Sequence, residues 1–356
     1  MRTEVFFATS ADGTRIAWSR HGSGPPLVRV GTWLTHLEYD WSSPVWSHWL
    51  HDLGQRFTVI RYDDRGSGLS DRAPASYDLD GWLADLDAVA RAARLDRFTL
   101  LGMSQGGAVA VAYAQAHPQQ VPKLVLYGAY AQGSAARTAT TEDADERDLL
   151  ERVIKIGWGR ADPVFRRVFT SSFIPGASEE QMRWFDELQR QSMSAGAALA
   201  SRRARGSLDV SSVAAGVCAR TLVLHADADR AVPFEQGRQL AGLIPGARFV
   251  PLHSSNHILL ADEPAWREFL DEVTAFAGGV PPSDVRPELT DREVQVLRLV
   301  ARGCSNDEIG AQLALSTRTV ERHLSHIYAR LELSGKSARA AAAARLAELE
   351  RGAGDF

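Results

Sequence analysis

The eight residues Leu100–Gly107 read LLGMSQGG, and no other stretch constrains the chain as tightly. A short apolar run, Phe98–Leu101, leads in, and a helical pattern lasting to about His117 leads out. Between them lies Gly102-Met103-Ser104-Gln105-Gly106, a G-x-S-x-G sequence. Where such a sequence turns a strand into a helix, the turn is tight enough to strain its central residue. The flanking glycines leave room for it, and the serine hydroxyl is pushed out above the sheet edge. Gln105 then stands at the helix N-terminus, where its backbone N–H can face a developing oxyanion.

The segments around this turn alternate between strand and helix. Glu4–Thr9 and Thr14–Arg20 read as strands joined at Ala11-Asp12-Gly13, a hairpin signal. Leu27–Val30, Thr58–Tyr62, the Phe98 run, Lys123–Tyr127, Thr221–His225 and Arg248–Leu252 are further apolar strands. Leu79–Leu95, the stretch after Ser104, Pro233–Leu243 and Pro264–Ala277 have helical character. This order predicts an α/β fold with a mostly parallel sheet and helices on both faces. From about residue 129 to 217 the alternation stops, and only helices are expected: Glu146–Gly157, Pro163–Phe173 and Glu179–Met193. Such an insertion forms a lid over the strand ends. Most of its rings (Trp158, Phe165, Phe169, Phe173, Trp184, Phe185) should fill a core, and a few should line a pocket.

Composition narrows the function classes. A chain of 356 residues suggests one large and one small domain. The net charge of −4 excludes binding to nucleic acid through overall charge, so any DNA contact must come from a local patch. Cys218 and Cys304 are too few for a disulfide framework, and the N-terminus lacks an apolar signal core. No run is long enough to span a bilayer. These features lead us to expect a cytoplasmic protein. The other histidines, His36, His48, His51 and His253, lack ligand spacing, and no phosphate-loop Lys-Ser or Lys-Thr pair occurs. No metal and no cofactor are expected.

Residues from about Arg2 to Gly278 resemble the α/β-hydrolase family, with Ser104, an acid and His257 in that family's chain order. The resemblance implies a catalytic serine triad. The acid lies in the loop after the Thr221 strand, where Asp227 and Asp229 compete; the family pattern falls on Asp229 and leaves Asp227 to shape the loop. His257 would take the Ser104 proton and later give it to the leaving group. Asp229 would fix the imidazole tautomer. The implied oxyanion donors are the Gln105 N–H and one from Thr32 or Trp33. The family commonly has His-Gly before that second donor, whereas this chain has Val30-Gly31. Serine at the elbow points to cleavage of an ester, thioester or lactone.

A linker, residues 279–286, separates residues 1–278 from a second unit, residues 287–356. Thr290–Glu293 and Ser305–Glu308 each read as a capping box. Val294, Leu297 and Val300 form a first apolar stripe ended by Gly303, and Ile309 and Leu313 a second. The turn Ala314-Leu315-Ser316 leads to a third helix bearing Val320, Leu324, Ile327 and Leu331 on one face, and a fourth helix covers Ser337 to about Leu349. This is an all-α helix-turn-helix pattern. Its wording (Leu-Thr-x-Arg-Glu, Ser-Asn-x-Glu-Ile, Thr-Val-x-x-His) closely resembles the LuxR-type DNA-binding domain. The resemblance implies that double-stranded DNA meets the third helix. Thr317 and Thr319 open that helix, and Arg318, Glu321, Arg322, Ser325 and His326 face away from the core. Arg318, Arg322, Arg330 and Lys336 can reach phosphate or guanine. His323, beside the stripe, is expected to pack. Glu321 stands where the family often carries lysine, so base preference does not transfer from relatives. The small Ala340–Ala344 face would allow a homodimer, as in relatives of this domain.

Two functions fit. One is a transcription regulator whose hydrolase-fold domain senses, or slowly hydrolyses, a small ligand. The other is a metabolic serine hydrolase with an attached autoregulatory DNA-binding domain.

Overall fold

The computed structural model describes residues 4–137, 140–279, 291–313, 315–330, 338, 339 and 342. The chain divides into two compact units, residues 1–281 and 282–356. Among the described residues, no helix is long and apolar enough to cross a membrane.

The first unit has an α/β-hydrolase fold. Its elements are β1 (Val5–Thr9), β2 (Arg15–Gly22), β3 (Pro26–Arg29), α1 (Ser47–Gly54), β4 (Thr58–Tyr62), α2 (Leu79–Ala92), β5 (Thr99–Met103), α3 (Gly106–Ala116) and β6 (Lys123–Tyr127). Five helices follow: α4 (Thr141–Gly157), α5 (Arg167–Phe173), α6 (Glu179–Ser192), α7 (Ala195–Gly206) and α8 (Ser211–Ala214). β7 (Arg220–Ala226), α9 (Phe234–Leu243), β8 (Arg248–Leu252) and α10 (Pro264–Ala277) close the unit. The eight strands lie in the order β1-β2-β4-β3-β5-β6-β7-β8. β1 and β2 are antiparallel to their neighbours, and the pairs from β4 onward are parallel.

The central strands are apolar on both faces because both are covered. Val28, Leu100, Leu124, Leu126 and Val223 face a core shared with α2, α3 and α9. Leu27, Leu101, Val125, Tyr127, Leu222 and Leu224 face the opposite core, built with α1, α10 and part of the lid. Several charges inside the unit are paired. Arg65, fully buried, holds Asp85 at 2.7 Å and Asp12 at 2.9 Å, joining the turn after β4 to α2 and to the first hairpin.

The lid differs from its sequence reading at several points. α4 starts at Thr141, five residues before Glu146, because Thr140 and Asp143 form a capping box. α5 starts at Arg167 and not at Pro163, since Asp162 Oδ1 accepts the Val164 N–H and ties that backbone into a turn. α7 and α1 were unread; the Ala- and Arg-rich α7 has no clean apolar stripe.

The second unit contains α11 (Asp291–Ala301), α12 (Asn306–Leu313) and α13 (Thr317–Arg330). Their core includes Val296, Leu297, Val300, Ile309, Val320, Leu324 and Ile327. Val296 takes the central place expected of Val294, which is only half buried. Ser305 and Glu308 cap α12 reciprocally. The turn into α13 is closed by the Leu315 N–H on the Gly310 carbonyl, 2.9 Å. Thr290, the linker beyond Gly279, Leu331, Lys336 and most of the expected fourth helix, Ala340 included, lie outside the described residues.

Asp85→Ala should cost about 3–5 kcal/mol, the usual penalty for removing the buried partner of a buried charge, since Asp12 holds only one edge of Arg65. Urea unfolding should show a lower midpoint at unchanged slope. A loss below about 1 kcal/mol would show that Arg65 is satisfied without Asp85.

Candidate active site and candidate nucleic-acid interface

β5 delivers Ser104 to the end of the sheet in a left-handed conformation, φ 47°. Its N–H donates to the Tyr127 carbonyl of β6, 2.9 Å, and its carbonyl accepts the Gly107 N–H, 3.0 Å. Gly102 leaves no room for a side chain, and Gly106 leaves little. A Cβ on Gly102 would lie 2.6 Å from that of Ala110, and one on Gly106 would lie 3.1 Å from the Gly31 carbonyl. The strain at Ser104 is thus imposed by a strand behind and a helix packed hard against it.

The loops after β7 and β8 meet beside this turn. His257 Nδ1 lies 2.6 Å from Asp229 Oδ2, both groups buried. Asp229 Oδ1 accepts the Ala231 and Val232 N–H groups at 2.8 and 2.9 Å. Burial alone would raise the Asp229 carboxyl, but the His257 charge and these hydrogen bonds outweigh it and hold the group below its ordinary value. Asp227 turns elsewhere, to exposed His253 at 2.9 Å. The His257 ring packs over Gly128, where a Cβ would come within 2.9 Å of Cε1. Its backbone N–H donates to the Phe173 carbonyl of α5, 2.8 Å, so the lid helps to hold this loop. Among the described hydrogen bonds, none joins Ser104 Oγ to the ring.

His225 is a further group beside the acid that went unread. Its Nε2 lies 3.0 Å from the Val232 carbonyl and 3.6 Å from Asp229 Oδ2. Burial lowers its pKa and keeps it neutral. Its place at the end of β7 gave no signal beyond a strand residue.

Ser104, Gln105, Thr32, Trp33 and His257 line one small cavity of about 40 Å³, whose remaining walls are largely apolar. Phe173 and Phe185 of the lid line it too, whereas Trp158 and Phe169 pack on the Trp33 ring. A larger and more polar cavity of about 440 Å³ also reaches Ser104 and Gln105, with Arg137, Arg202, Arg205 and Arg230 on its walls. Arg205 of α7 pairs with Asp64 at 2.7 Å, both buried, and lies 4.0 Å over the Trp82 ring. It also donates to the Gln105 carbonyl, 3.4 Å. One lid side chain therefore ties together α7, the turn after β4 and the residue after Ser104.

In the second unit, Thr317, Arg318, Glu321, Arg322 and Ser325 are exposed along α13, opposite buried Val320, Leu324 and Ile327. Thr319 and His323 are half buried. Thr317 Oγ1 donates to Asp307 Oδ1, 2.7 Å, and the Thr319 hydroxyl bonds Ser316 Oγ, 2.8 Å. These two hydroxyls thus serve the helix start. The side chains of His326 and Arg330, and all of Lys336, lie outside the described residues.

Comparison with known proteins places both units. Residues 25–154 match the alpha/beta hydrolase fold family, and residues 287–343 match the bacterial regulatory proteins of the luxR family. The first unit therefore contains an alpha/beta hydrolase domain. The chain fuses that domain to a LuxR-type DNA-binding domain. It is 29% identical over 274 residues to a pyrrolizixenacetamide deacetylase of Xenorhabdus hominickii, covering 74% of this chain and 94% of the relative. An AB hydrolase superfamily protein of Bacillus subtilis is 28% identical over 66% of this chain and 86% of its own. Among solved structures, an esterase from Exiguobacterium antarcticum superposes with a TM-score of 0.63 at 28% identity, covering 76% of this chain and 98% of that one. A hydrolase from Pseudomonas aeruginosa gives 0.64 at 25%, covering 77% and 98%.

The lowered Asp229 pKa sets a pH test. A carboxyl depressed in the folded state contributes stability above its unfolded value, near 3.9, and loses it as pH falls through the folded value. Asp229→Asn should therefore destabilise at about pH 7 and cost far less at about pH 2, by urea titration at each pH. A cost equal at both would contradict the assigned charge.

Proposed function

We propose that this chain is a DNA-binding transcription regulator whose hydrolase domain senses, and slowly hydrolyses, a small ester, thioester or lactone. The observation that carries the reading is the buried 2.6 Å contact of His257 with Asp229 beside a strained Ser104, in one chain with a LuxR-type domain. Ser104 Oγ would attack the carbonyl while His257 Nε2 takes its proton. The new oxygen–carbon bond raises an oxyanion, met by the Gln105 N–H and by one from Thr32 or Trp33. The carbon–oxygen or carbon–sulfur bond of the substrate then breaks, and His257 returns the proton to the leaving group. Water, deprotonated by the same ring, releases the acid and restores Ser104. Relatives named as deacetylase and esterase support acyl chemistry in this domain.

The DNA-binding role rests on the LuxR-type match and on the exposed face of α13, from Thr317 to Ser325. His326 and Lys336 belong to the proposed contact set by the family resemblance. A single recognition helix covers only a few base pairs, so we infer a homodimer reading half-sites about 10 base pairs apart. The domains would be residues 1–278, with the lid at about 129–217, a linker at 279–286, and 287–356 for DNA. The alternative, a metabolic hydrolase with an autoregulatory domain, is favoured by the assembled Ser104, Asp229 and His257; a turnover typical of metabolic enzymes, about 10 per second, would select it.

Ser104→Ala should abolish hydrolysis of an activated ester, a loss on the order of a millionfold in turnover. A variant that kept the parent rate would move the nucleophile elsewhere.

Footprinting of the full chain should show two protected half-sites with two-fold symmetry, and binding that weakens steeply with salt. One protomer per site, by sizing of the complex, would remove the dimer.

A further inference from the structure

Arg29 ends β3, the strand that leads into the Thr32–Trp33 loop, and it is 4% exposed. It shares the sheet face of Leu27 and pairs in register with Leu101, three residues before Ser104. Its guanidinium lies 4.4 Å over the Trp46 ring, and the residue borders the cavity that holds Ser104 and His257.

No neighbouring carboxylate is bonded to it. Asp40 bonds Arg61 through Oδ2 at 2.7 Å, and its Oδ1 bonds neither arginine. Asp63 Oδ2 is taken by the Leu37 and Leu69 N–H groups at 3.1 and 2.8 Å. Among the described residues the Arg29 guanidinium makes no hydrogen bond, and its Nε is buried without a partner. Burial pushes Arg29 down to about 10, which leaves it charged at neutral pH. Burial pushes the Asp63 carboxyl up to about 7, so its charge is partly lost there. Arg29 therefore lacks a bonded anion while it borders an otherwise apolar cavity. A desolvated cation with unused donors is costly unless an anion joins it.

We propose that Arg29 anchors a carboxylate of the ligand, so that the ligand of this pocket is a half-ester or half-thioester of a short dicarboxylic acid. The placement of the ester carbonyl rests on the reading of Ser104 as nucleophile; the anion site does not. Three strand residues separate the two positions, about 10 Å between Cα atoms, and the arginine side chain crosses part of that distance. A spacer of a few carbons joins the two ends. One planar guanidinium matches one carboxylate in charge and in fork geometry. A phosphate dianion would bring a second, unmatched charge into the same apolar space.

The test uses the full chain and two substrates, p-nitrophenyl hydrogen glutarate and its methyl-capped diester, which differ in the free carboxylate. Wild type should favour the half-ester by at least about tenfold in kcat/KM. Arg29→Met should bring that ratio to about one, and Arg29→Lys should keep part of it, since lysine retains the charge without the fork. Calorimetry on Ser104→Ala should show monomethyl glutarate binding at least about tenfold tighter than dimethyl glutarate, and a further Arg29→Met change should erase the difference. If wild type cleaves neither ester but the binding preference holds, the anion site stands and the nucleophile reading falls. If wild type treats the two esters alike, or Arg29→Met keeps the preference, the proposal is overturned and Arg29 serves only to neutralise Asp40 and Asp63. Should Arg29→Met fail to fold, by circular dichroism, the Arg29→Lys ratio decides: unchanged preference overturns, reduced preference supports.

Discussion

The site depends on one strained residue. Ser104 is held at φ 47°, where a side chain is normally disfavoured, because only Ser104 and Gln105 separate the end of β5 from the start of α3. Removing the strain would turn the hydroxyl away from His257 and withdraw the Gln105 N–H from the cavity. The surrounding structure is arranged to prevent this. β6 binds the Ser104 N–H, Ala110 and Gly31 crowd the two glycines, and Arg205 reaches from the lid to the Gln105 carbonyl.

The lid is therefore part of the site and not only a cover for it. Arg205 is bonded to Asp64 and stacked on Trp82, while α5 gives its last carbonyl to the His257 backbone. Both of the groups flanking the reacting position are thus tethered to helices inserted between β6 and β7. A ligand that fills the cavity touches Phe173 and Phe185 of these same helices. It can favour one arrangement of the lid over another only by differential affinity for the two.

What was legible in the sequence was local. Glycines around Ser104, an aspartate two residues short of Ala-Val-Pro, and a histidine after the last strand each carry their signal within a few residues. The period of α13 likewise separates Arg318 and Arg322 from Val320 and Leu324. What was not legible was non-local. Asp64 and Arg205 stand 141 residues apart, and nothing near either one announces the other. Arg29 reads as a polar interruption in an apolar strand; only the packing of Trp46 and β5 around it shows that it is buried. His225 is hidden in the same way. Val296 displaced Val294 because α11 buries a wide face and not a narrow stripe. α7, short of apolar periodicity, is helical through its Ser194 cap and its packing on α4.

The central claim is that one chain couples a ligand under the lid to DNA at α13. Binding linkage tests it directly, since coupling between two sites is reciprocal. The measurement is the affinity of full-length Ser104→Ala protein, which cannot consume its ligand, for an identified ester, with and without saturating operator DNA. The account predicts a change of about 5–150-fold, matched by the same factor in DNA affinity when the ester is saturating. Two independent affinities, equal within error with and without the other partner, would contradict it.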